Sequence, residues 1–153
     1  MVRTYSPIKT RFLTKSDFPD ILRIEIESFS EPISEGEYRQ FLLTHENAGT
    51  VAEIDGKVVG YMFFSYKIGY ILLHSIAVEK KYRRKTIATQ LVDKLKMKLE
   101  PATFRSIRCD VWEKNLAMQL LLKSCGFFCT EIVPGSFKPP HDKDQAYMLQ
   151  YFL

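Results

Sequence analysis

The spacing of hydrophobic residues changes from that of a strand to that of a helix within one stretch, residues 70–99. Residues Tyr70–Val78 are mostly apolar and partly β-branched, which is typical of a strand buried on both faces. Apolar residues then recur at every fourth position, which predicts an amphipathic helix of about four turns. These positions are Ile87, Leu91, Leu95 and Leu99. The pattern therefore predicts a strand, a polar loop and a helix in succession.

Upstream of this stretch, the pattern predicts a strand, two helices and a hairpin. Residues 8–13 are a short strand candidate, and apolar residues at mostly helical spacing over 18–29 predict the first helix. Ser34 and Glu37 have the spacing of a capping box, which predicts the start of the second helix. Asp55–Gly56 separates two strand-like runs, as in a two-residue hairpin. We therefore expect an antiparallel meander that ends at the strand described above.

Downstream, the chain alternates between strands and one short helix. Phe104–Trp112 is a predicted strand, residues 115–124 a helix, and residues 127–133 and 145–153 two further strands. A strand, a helix and a second strand of the same sheet imply a right-handed crossover and parallel pairing. The predicted order is β-α-α-β-β-β-α-β-α-β-β, which is an α+β fold with a mixed sheet.

The composition indicates a soluble globular protein with one domain over residues 1–153. The hydrophobic content of 46% and charged content of 26% are ordinary for that class, and the length allows a sizeable core. The net charge of +4 suits an anionic ligand, but it is too small to indicate nucleic-acid binding by itself. We therefore expect no nucleic-acid partner.

The cysteines and the N-terminus predict a cytoplasmic protein. The three cysteines are odd in number, form no Cys-x-x-Cys pair and lie in no zinc-like cluster, so we expect reduced thiols and no metal site. They are Cys109, Cys125 and Cys129. The N-terminus lacks the apolar core of a signal peptide, and no run approaches the roughly 18 apolar residues of a membrane span.

A basic loop lies between the strand and the helix of residues 70–99. Five of the eight residues 79–86 are cationic. They surround a helix N-terminus, whose unpaired N–H groups favour a phosphate, and Thr86 is a candidate N-cap. The alternative is a solvated basic loop that only connects two elements.

Residues Arg83–Ala88 resemble the acyl-CoA pyrophosphate loop of the GNAT superfamily of N-acetyltransferases, which has the pattern Gln/Arg-x-x-Gly-x-Gly/Ala. The preceding Ile76–Val78 resembles the central strand of that family. Thr86 stands where the family has glycine, which lets the backbone approach the pyrophosphate. The resemblance implies that the following residues bind acetyl-CoA: Ile76, Ala77, Val78, Arg83, Arg84, Lys85, Thr86, Ile87, Ala88 and Asn115.

Two more segments resemble the RimI-type protein N-terminal (ribosomal protein alanine) acetyltransferases. Residues 24–38 resemble their helix–loop–helix at the acceptor site, and Asn115 with the later Ser124–Phe127 resembles their Asn…Gly-Phe segment. The resemblance implies a GNAT-type acyl-CoA N-acyltransferase fold, a mostly antiparallel sheet with helices on both faces. It also implies an acetyl-CoA-dependent N-acetyltransferase that acts on a primary amine, such as a protein N-terminus.

The catalytic residues are less well defined. By resemblance, Asp110 stands at the position of a glutamate base, and its alternative is an ion pair with Arg108 or Arg105. His74 is a second candidate base, which a two-residue repeat places on the same face as Ile76 and Val78; its alternative is a structural role.

Three further points remain open in the sequence. The proton-donating tyrosine of the family falls on Leu122, and Tyr70, Tyr147 and Tyr151 are possible substitutes. Asn115 can hold the pantetheine arm or cap a helix. Because Thr86 and Leu122 depart from the family pattern, a GNAT-like CoA-binding module with little or no turnover is the alternative function. The acceptor and the oligomeric state are not predicted.

Overall fold

The structure, a computed structural model, describes residues 8–84, 86–135 and 140–153. Seven strands and four α-helices lie in the described residues. The strands are β1 (Lys9–Phe12), β2 (Asn47–Ile54), β3 (Lys57–Tyr66), β4 (Gly69–Val78), β5 (Phe104–Trp112), β6 (Phe128–Pro134) and β7 (Gln145–Phe152). The helices are α1 (Phe18–Ser28), α2 (Glu35–Leu43), α3 (Ile87–Lys96) and α4 (Leu116–Ser124). The predicted order of elements is confirmed.

The strands form one mixed sheet in the order β1-β2-β3-β4-β5-β7-β6. β4 and β5 pair in parallel, as the intervening helix requires, and the other five pairs are antiparallel. The β2–β3 hairpin turns at Asp55 and Gly56, whose φ angles of 51° and 77° are those that a two-residue hairpin needs. The predicted α+β class is confirmed.

Helices cover both faces of the sheet. On one face α1 and α2 bury a cluster that includes Ile21, Ile24 and Tyr38 against β3. On the other face α3 buries Leu91 and Leu95, and α4 buries side chains in the same larger core. In the described part of the chain, no helix is long and apolar enough to span a membrane.

β4 contains the irregularity that positions the site. Phe63 of β3 is opposite Ser75 and Phe64 is opposite Leu73, which leaves His74 as the extra residue of a β-bulge. The bulge shifts the alternation of the strand. As a result, His74 contacts Phe41 of α2, with ring centroids 6.2 Å apart.

Ile76 and Val78 pack in the core on the α3 side of the sheet, whereas His74 faces the α2 side. The prediction that His74 shares a face with these two residues is wrong. A two-residue repeat holds only in a regular strand, and the bulge adds one residue to it.

Candidate functional site

A cavity of about 770 Å³ opens where β4 and β5 cease to pair. The last parallel pair joins Leu72 and Arg108, and the residues that follow in both strands line the cavity. The first turn of α3, one side of α4 and the C-terminal end of α1 complete its walls.

The cavity brings together the residues predicted from the sequence. Those that line it are His74, Ile76, Ala77, Val78, Arg83, Arg84, Thr86, Ile87, Ala88, Asp110 and Asn115. Lys85 lies outside the described residues. A single cavity therefore holds the cationic loop and both candidate bases.

The second half of β4 has one free edge. Residues 73–78 pair with β3 on one side, and on the other side they pair with no strand in the described residues. Backbone N–H and C=O groups at such an edge need partners. An extended ligand in the cavity can supply these partners.

The first turn of α3 offers backbone N–H groups with no partner inside the helix. Thr86 lies at the N-cap position with φ 66°, a left-handed conformation, and Arg84 also has a positive φ of 62°. A left-handed residue other than glycine costs about 1–2 kcal/mol. Thr86 therefore adopts the backbone shape for which the family uses glycine.

The predicted position of the N-cap is confirmed, but the Thr86 side chain does not cap the helix. Its Oγ1 instead accepts a hydrogen bond from Nε2 of Gln90, at 3.1 Å. The left-handed backbone accounts for this difference, because a capping side chain normally comes from a residue in an extended conformation.

Hydrogen bonds from Arg83 and Lys80 tie the basic loop to its surroundings. Nε of Arg83 donates to the carbonyl oxygen of Val78 at 3.0 Å, and Nη2 donates to Oγ of Ser28 at 3.1 Å. The backbone N–H of Lys80 donates to Oε2 of Glu27 at 2.9 Å. These contacts fix the loop against β4 and α1 while Arg83 and Arg84 stay exposed.

Asp110 is exposed in β5 and forms an ion pair with Arg108. Nε of Arg108 lies 3.2 Å from Oδ1 of Asp110, and Nη2 lies 3.3 Å from Oδ2. The ion pair that the sequence offered as the alternative is therefore formed. The carboxylate nevertheless lines the cavity.

His74 has a different environment. Its Nε2 lies 2.5 Å from Oγ of Ser65, and its ring packs edge-on against Phe41. Although His74 is an exposed residue of the cavity wall, its partial burial lowers the pKa of its imidazole. The charge of Lys67 lowers this pKa further, and Glu46 opposes the shift. The imidazole is therefore neutral at pH 7.

Asn115 caps α4, because its Oδ1 accepts the backbone N–H of Met118 at 3.2 Å, and it also lines the cavity. Leu122 is fully buried in the core and lies away from the cavity. The possible substitutes for an acid, Tyr70, Tyr147 and Tyr151, are absent from the described cavity lining.

Sequence reasoning missed three residues near the site. Tyr82 of the basic loop lines the cavity, and its place between four cations was a usable signal. Ser65 and Asn47 lie behind His74, and Ser65 donates to Oδ1 of Asn47 at 2.5 Å. Only the register of the sheet brings these two residues to His74, so no local sequence pattern could have identified them.

Comparisons with known proteins agree with this geometry. Residues 18–127 match the sequence model of the acetyltransferase (GNAT) family. An uncharacterized N-acetyltransferase of Methanocaldococcus jannaschii is 35% identical over 85 residues, which are 56% of this chain and 54% of that protein. The match thus spans about half the length of that relative.

Two solved structures show the same fold. The ribosomal-protein-S18-alanine N-acetyltransferase from Escherichia coli has a TM-score of 0.82 at 20% identity, over 95% of this chain and 94% of that chain. NAA60 of Arabidopsis thaliana, in complex with a bisubstrate analogue, has a TM-score of 0.81 at 16% identity, over 96% and 99%. Since the family match covers most of the chain, including the cavity walls from α1 to α4, the chain belongs to the acetyltransferase (GNAT) family.

Proposed function

We propose that the chain is an acetyl-CoA-dependent N-acetyltransferase, with one domain over residues 1–153. It acetylates a primary amine, a protein N-terminus, by direct attack of that amine. The observation that supports this proposal is the cavity, which gathers a cationic helix N-terminus, a free strand edge and two candidate bases.

The described residues fit acetyl-CoA, which supplies an acetyl group as a thioester. The first-turn N–H groups of α3 and the guanidinium groups of Arg83 and Arg84 hold the pyrophosphate. The backbone of Ile76 and Val78 offers hydrogen bonds to the pantetheine arm. Asn115 lines the same cavity at the start of α4. Lys85 keeps its predicted role in phosphate binding on sequence grounds.

The acceptor amine must lose a proton before it attacks. His74 takes this proton, because a neutral imidazole in the cavity wall is a competent base near neutral pH. Asp110 is the second catalytic candidate. Its carboxylate attracts a cationic ammonium group and can relay the proton through a water molecule. That proton then leaves to solvent through the open cavity. After the attack the same nitrogen gives up a second proton, which passes through water to the sulfur as the C–S bond breaks, so the products are the acetylated amine and a free thiol.

The protein N-terminus is proposed as the acceptor by analogy of fold. One similar structure is that of a ribosomal-protein-S18-alanine N-acetyltransferase. The free thiols of Cys109, Cys125 and Cys129 suit a reducing compartment, so we place the activity in the cytoplasm.

One observation favours a second candidate, a CoA-binding module with little or no turnover. The position of the family's tyrosine acid is occupied by Leu122, which is fully buried and has no proton to donate. In this case the cavity binds the cofactor, but the sulfur receives no specific help as it leaves.

Calorimetric titration with acetyl-CoA at low and moderate salt is the first test. We expect binding that weakens with salt, because exposed cations contact the phosphates. Incubation with acetyl-CoA and a peptide with a free N-terminus should then release thiol, and the same peptide already acetylated is the control. Binding without thiol release would favour the module, and no binding at either salt would overturn both proposals.

A further inference from the structure

Three side chains from β2, β3 and β4 form a row behind the cavity: Asn47, Ser65 and His74. We propose that Asn47 and Ser65 are positioning residues that hold His74 with its hydrogen on Nε2, so that Nδ1 accepts the proton of the acceptor amine. The role of Nδ1 rests on the proposed function, whereas the hydrogen on Nε2 follows from the geometry alone.

Asn47 determines which atom donates and which accepts in the hydrogen bonds of the row. Its Nδ2 donates to the carbonyl oxygen of Phe41 at 3.3 Å, which turns its Oδ1 toward Ser65. If the amide were reversed, two oxygens without a hydrogen between them would face each other at Phe41. The hydrogen bond to Phe41 therefore makes Asn47 an acceptor toward Ser65.

Because of its hydrogen bond to Asn47, Ser65 in turn determines which ring nitrogen of His74 carries the hydrogen. Its hydroxyl has one hydrogen, which is used by Oδ1 of Asn47 at 2.5 Å. Toward His74 the Ser65 oxygen can only accept, so the hydrogen of that 2.5 Å bond belongs to Nε2 of the ring. In a neutral imidazole the other nitrogen, Nδ1, then has a free lone pair.

The sheet holds the row in place. Asn47 and Ser65 are directly opposite each other in the β2–β3 ladder, and Ser65 is 1% exposed. The bulge of β4 turns His74 toward α2, where Phe41 supports both ends of the row: its ring packs on His74 and its carbonyl binds Asn47. A buried hydroxyl between two fixed partners has no alternative hydrogen bond to water.

The row orients the histidine and does not conduct its proton. A charge relay ends in a carboxylate, whereas this row ends in an amide, which takes up no proton near neutral pH. When Nδ1 accepts a proton from the ammonium group, Nε2 keeps its hydrogen bond to Ser65, and the proton later returns to solvent through the cavity.

Charged groups near His74 lie beside the row. Lys67 and Glu46 form an ion pair at 2.9 Å, and both act on the pKa of His74 from the β2–β3 side. Asp110 lies in the wall of the same cavity, paired with Arg108. The hydrogen bond to Ser65 is thus the contact that distinguishes the two ring nitrogens.

The test is ¹⁵N NMR of the histidine side chains, with His74 assigned by the His74→Gln variant. In the wild-type protein above the pKa of His74, we expect hydrogen on Nε2 and none on Nδ1. Ser65→Ala should give a mixture of both tautomers, and Ser65→Cys, which keeps the buried shape but accepts weakly, a partial mixture. Ser106→Ala is the matched control, a buried strand serine outside the described cavity lining, and should leave the tautomer unchanged.

Kinetics give an independent readout. Ser65→Ala should lower kcat about 10-fold, less than the roughly 10²–10⁴-fold effect of losing a general base, and leave the Kd for acetyl-CoA unchanged. Hydrogen on Nδ1 in the wild-type protein, or an unchanged tautomer in both Ser65 variants, would overturn the proposal. A third outcome is that His74 has its hydrogen on Nε2 but neither the wild-type protein nor any variant transfers acetyl. This outcome would refute the role of Nδ1 and the proposed function, but not the orientation of the ring.

Discussion

At the α3 end of the cavity the side chains are charged and exposed. At the β4 bulge the candidate base is neutral and is held by a hydrogen bond to a buried serine. Arg83 and Arg84 lie beside a helix N-terminus in a loop with two positive φ angles. His74 instead rests on the buried hydroxyl of Ser65. Exposed charges act over distance and are screened by salt, while a buried hydrogen bond sets orientation and resists salt. The first end is suited to binding an anion and the second to holding one ring nitrogen ready for a proton.

The largest effect is expected from His74→Gln. Glutamine can still donate to Ser65 but cannot accept a proton near neutral pH, so kcat should fall about 10²–10⁴-fold. The Kd for acetyl-CoA should stay unchanged, because His74 lies at the other end of the cavity. Steady-state kinetics measures kcat and calorimetry measures the Kd. A loss of affinity without a loss of kcat would mean that His74 takes part in binding acetyl-CoA and not in catalysis.

The complementary change is Arg83→Ala or Arg84→Ala. Each should weaken acetyl-CoA binding by about 1–3 kcal/mol, the range for a charge-assisted hydrogen bond, and reduce the salt dependence of binding. Arg39→Ala is a suitable control, because Arg39 pairs with Glu35 on the surface of α2. If neither loop variant changed the affinity, the assignment of this loop to phosphate would be wrong.

Asp110→Asn tests whether the exposed carboxylate contributes to the reaction. The amide keeps the shape of the side chain but loses the ion pair with Arg108. We expect kcat to fall about 10-fold, which is equivalent to about 1.4 kcal/mol, with little change in the Kd for acetyl-CoA. A change in affinity alone would give Asp110 a structural role.

Thr86→Gly should have a small effect on stability. Glycine relieves about 1–2 kcal/mol of left-handed strain, but it costs about 0.5–1 kcal/mol in chain entropy and loses a hydrogen bond worth about 0.5–1.5 kcal/mol. These contributions largely cancel, so the free energy of unfolding should change by between a loss of about 1.5 kcal/mol and a gain of about 1 kcal/mol. Denaturant unfolding measures it, and Thr86→Val, which replaces only the hydroxyl by a methyl group, isolates the contribution of the hydroxyl. Tighter acetyl-CoA binding by the glycine variant would show that the β-branched side chain obstructs the loop.

The smallest expected effect is the change in the free energy of unfolding with pH that results from protonation of His74. Because burial lowers the pKa of His74 in the folded state, the unfolded state binds its proton more readily. This difference has no effect above the unfolded pKa of about 6.5 and destabilises the fold increasingly as the pH falls below it. Unfolding of the wild type and His74→Gln at pH 7 and pH 5 measures it. The wild type should lose more stability than the variant, and equal losses would mean that His74 is not desolvated.

The sequence alone determined the elements whose signals are local. The capping box of Ser34 and Glu37 forms as predicted, with the serine oxygen accepting the N–H of Glu37. The Asp55–Gly56 hairpin, the bounds of β5 at Phe104–Trp112 and the start of α3 at Ile87 also match. Side-chain period, cap spacing and turn chemistry act over a few residues, so they can be read from the chain itself.

The residues of the candidate site could be predicted in part from local sequence and in part only from the fold. The resemblance to a family motif predicts Arg83, Arg84 and Asn115 from the residues alone, and each lines the cavity. The same motif does not reveal that Thr86 keeps the left-handed backbone of a glycine. A backbone angle depends on what the surrounding loop enforces as well as on the intrinsic preference of the residue.

Only the tertiary structure decided the surroundings of the two candidate bases. The bulge in β4 turned His74 toward α2, and the ladder of β2 and β3 placed Asn47 and Ser65 behind it. Asp110 pairs with Arg108, one of the two arginines that the sequence offered as its partner. Strand register and bulges arise from contacts between residues far apart in the chain, and a one-residue shift moves a side chain to the opposite face, so periodicity within one strand cannot determine them.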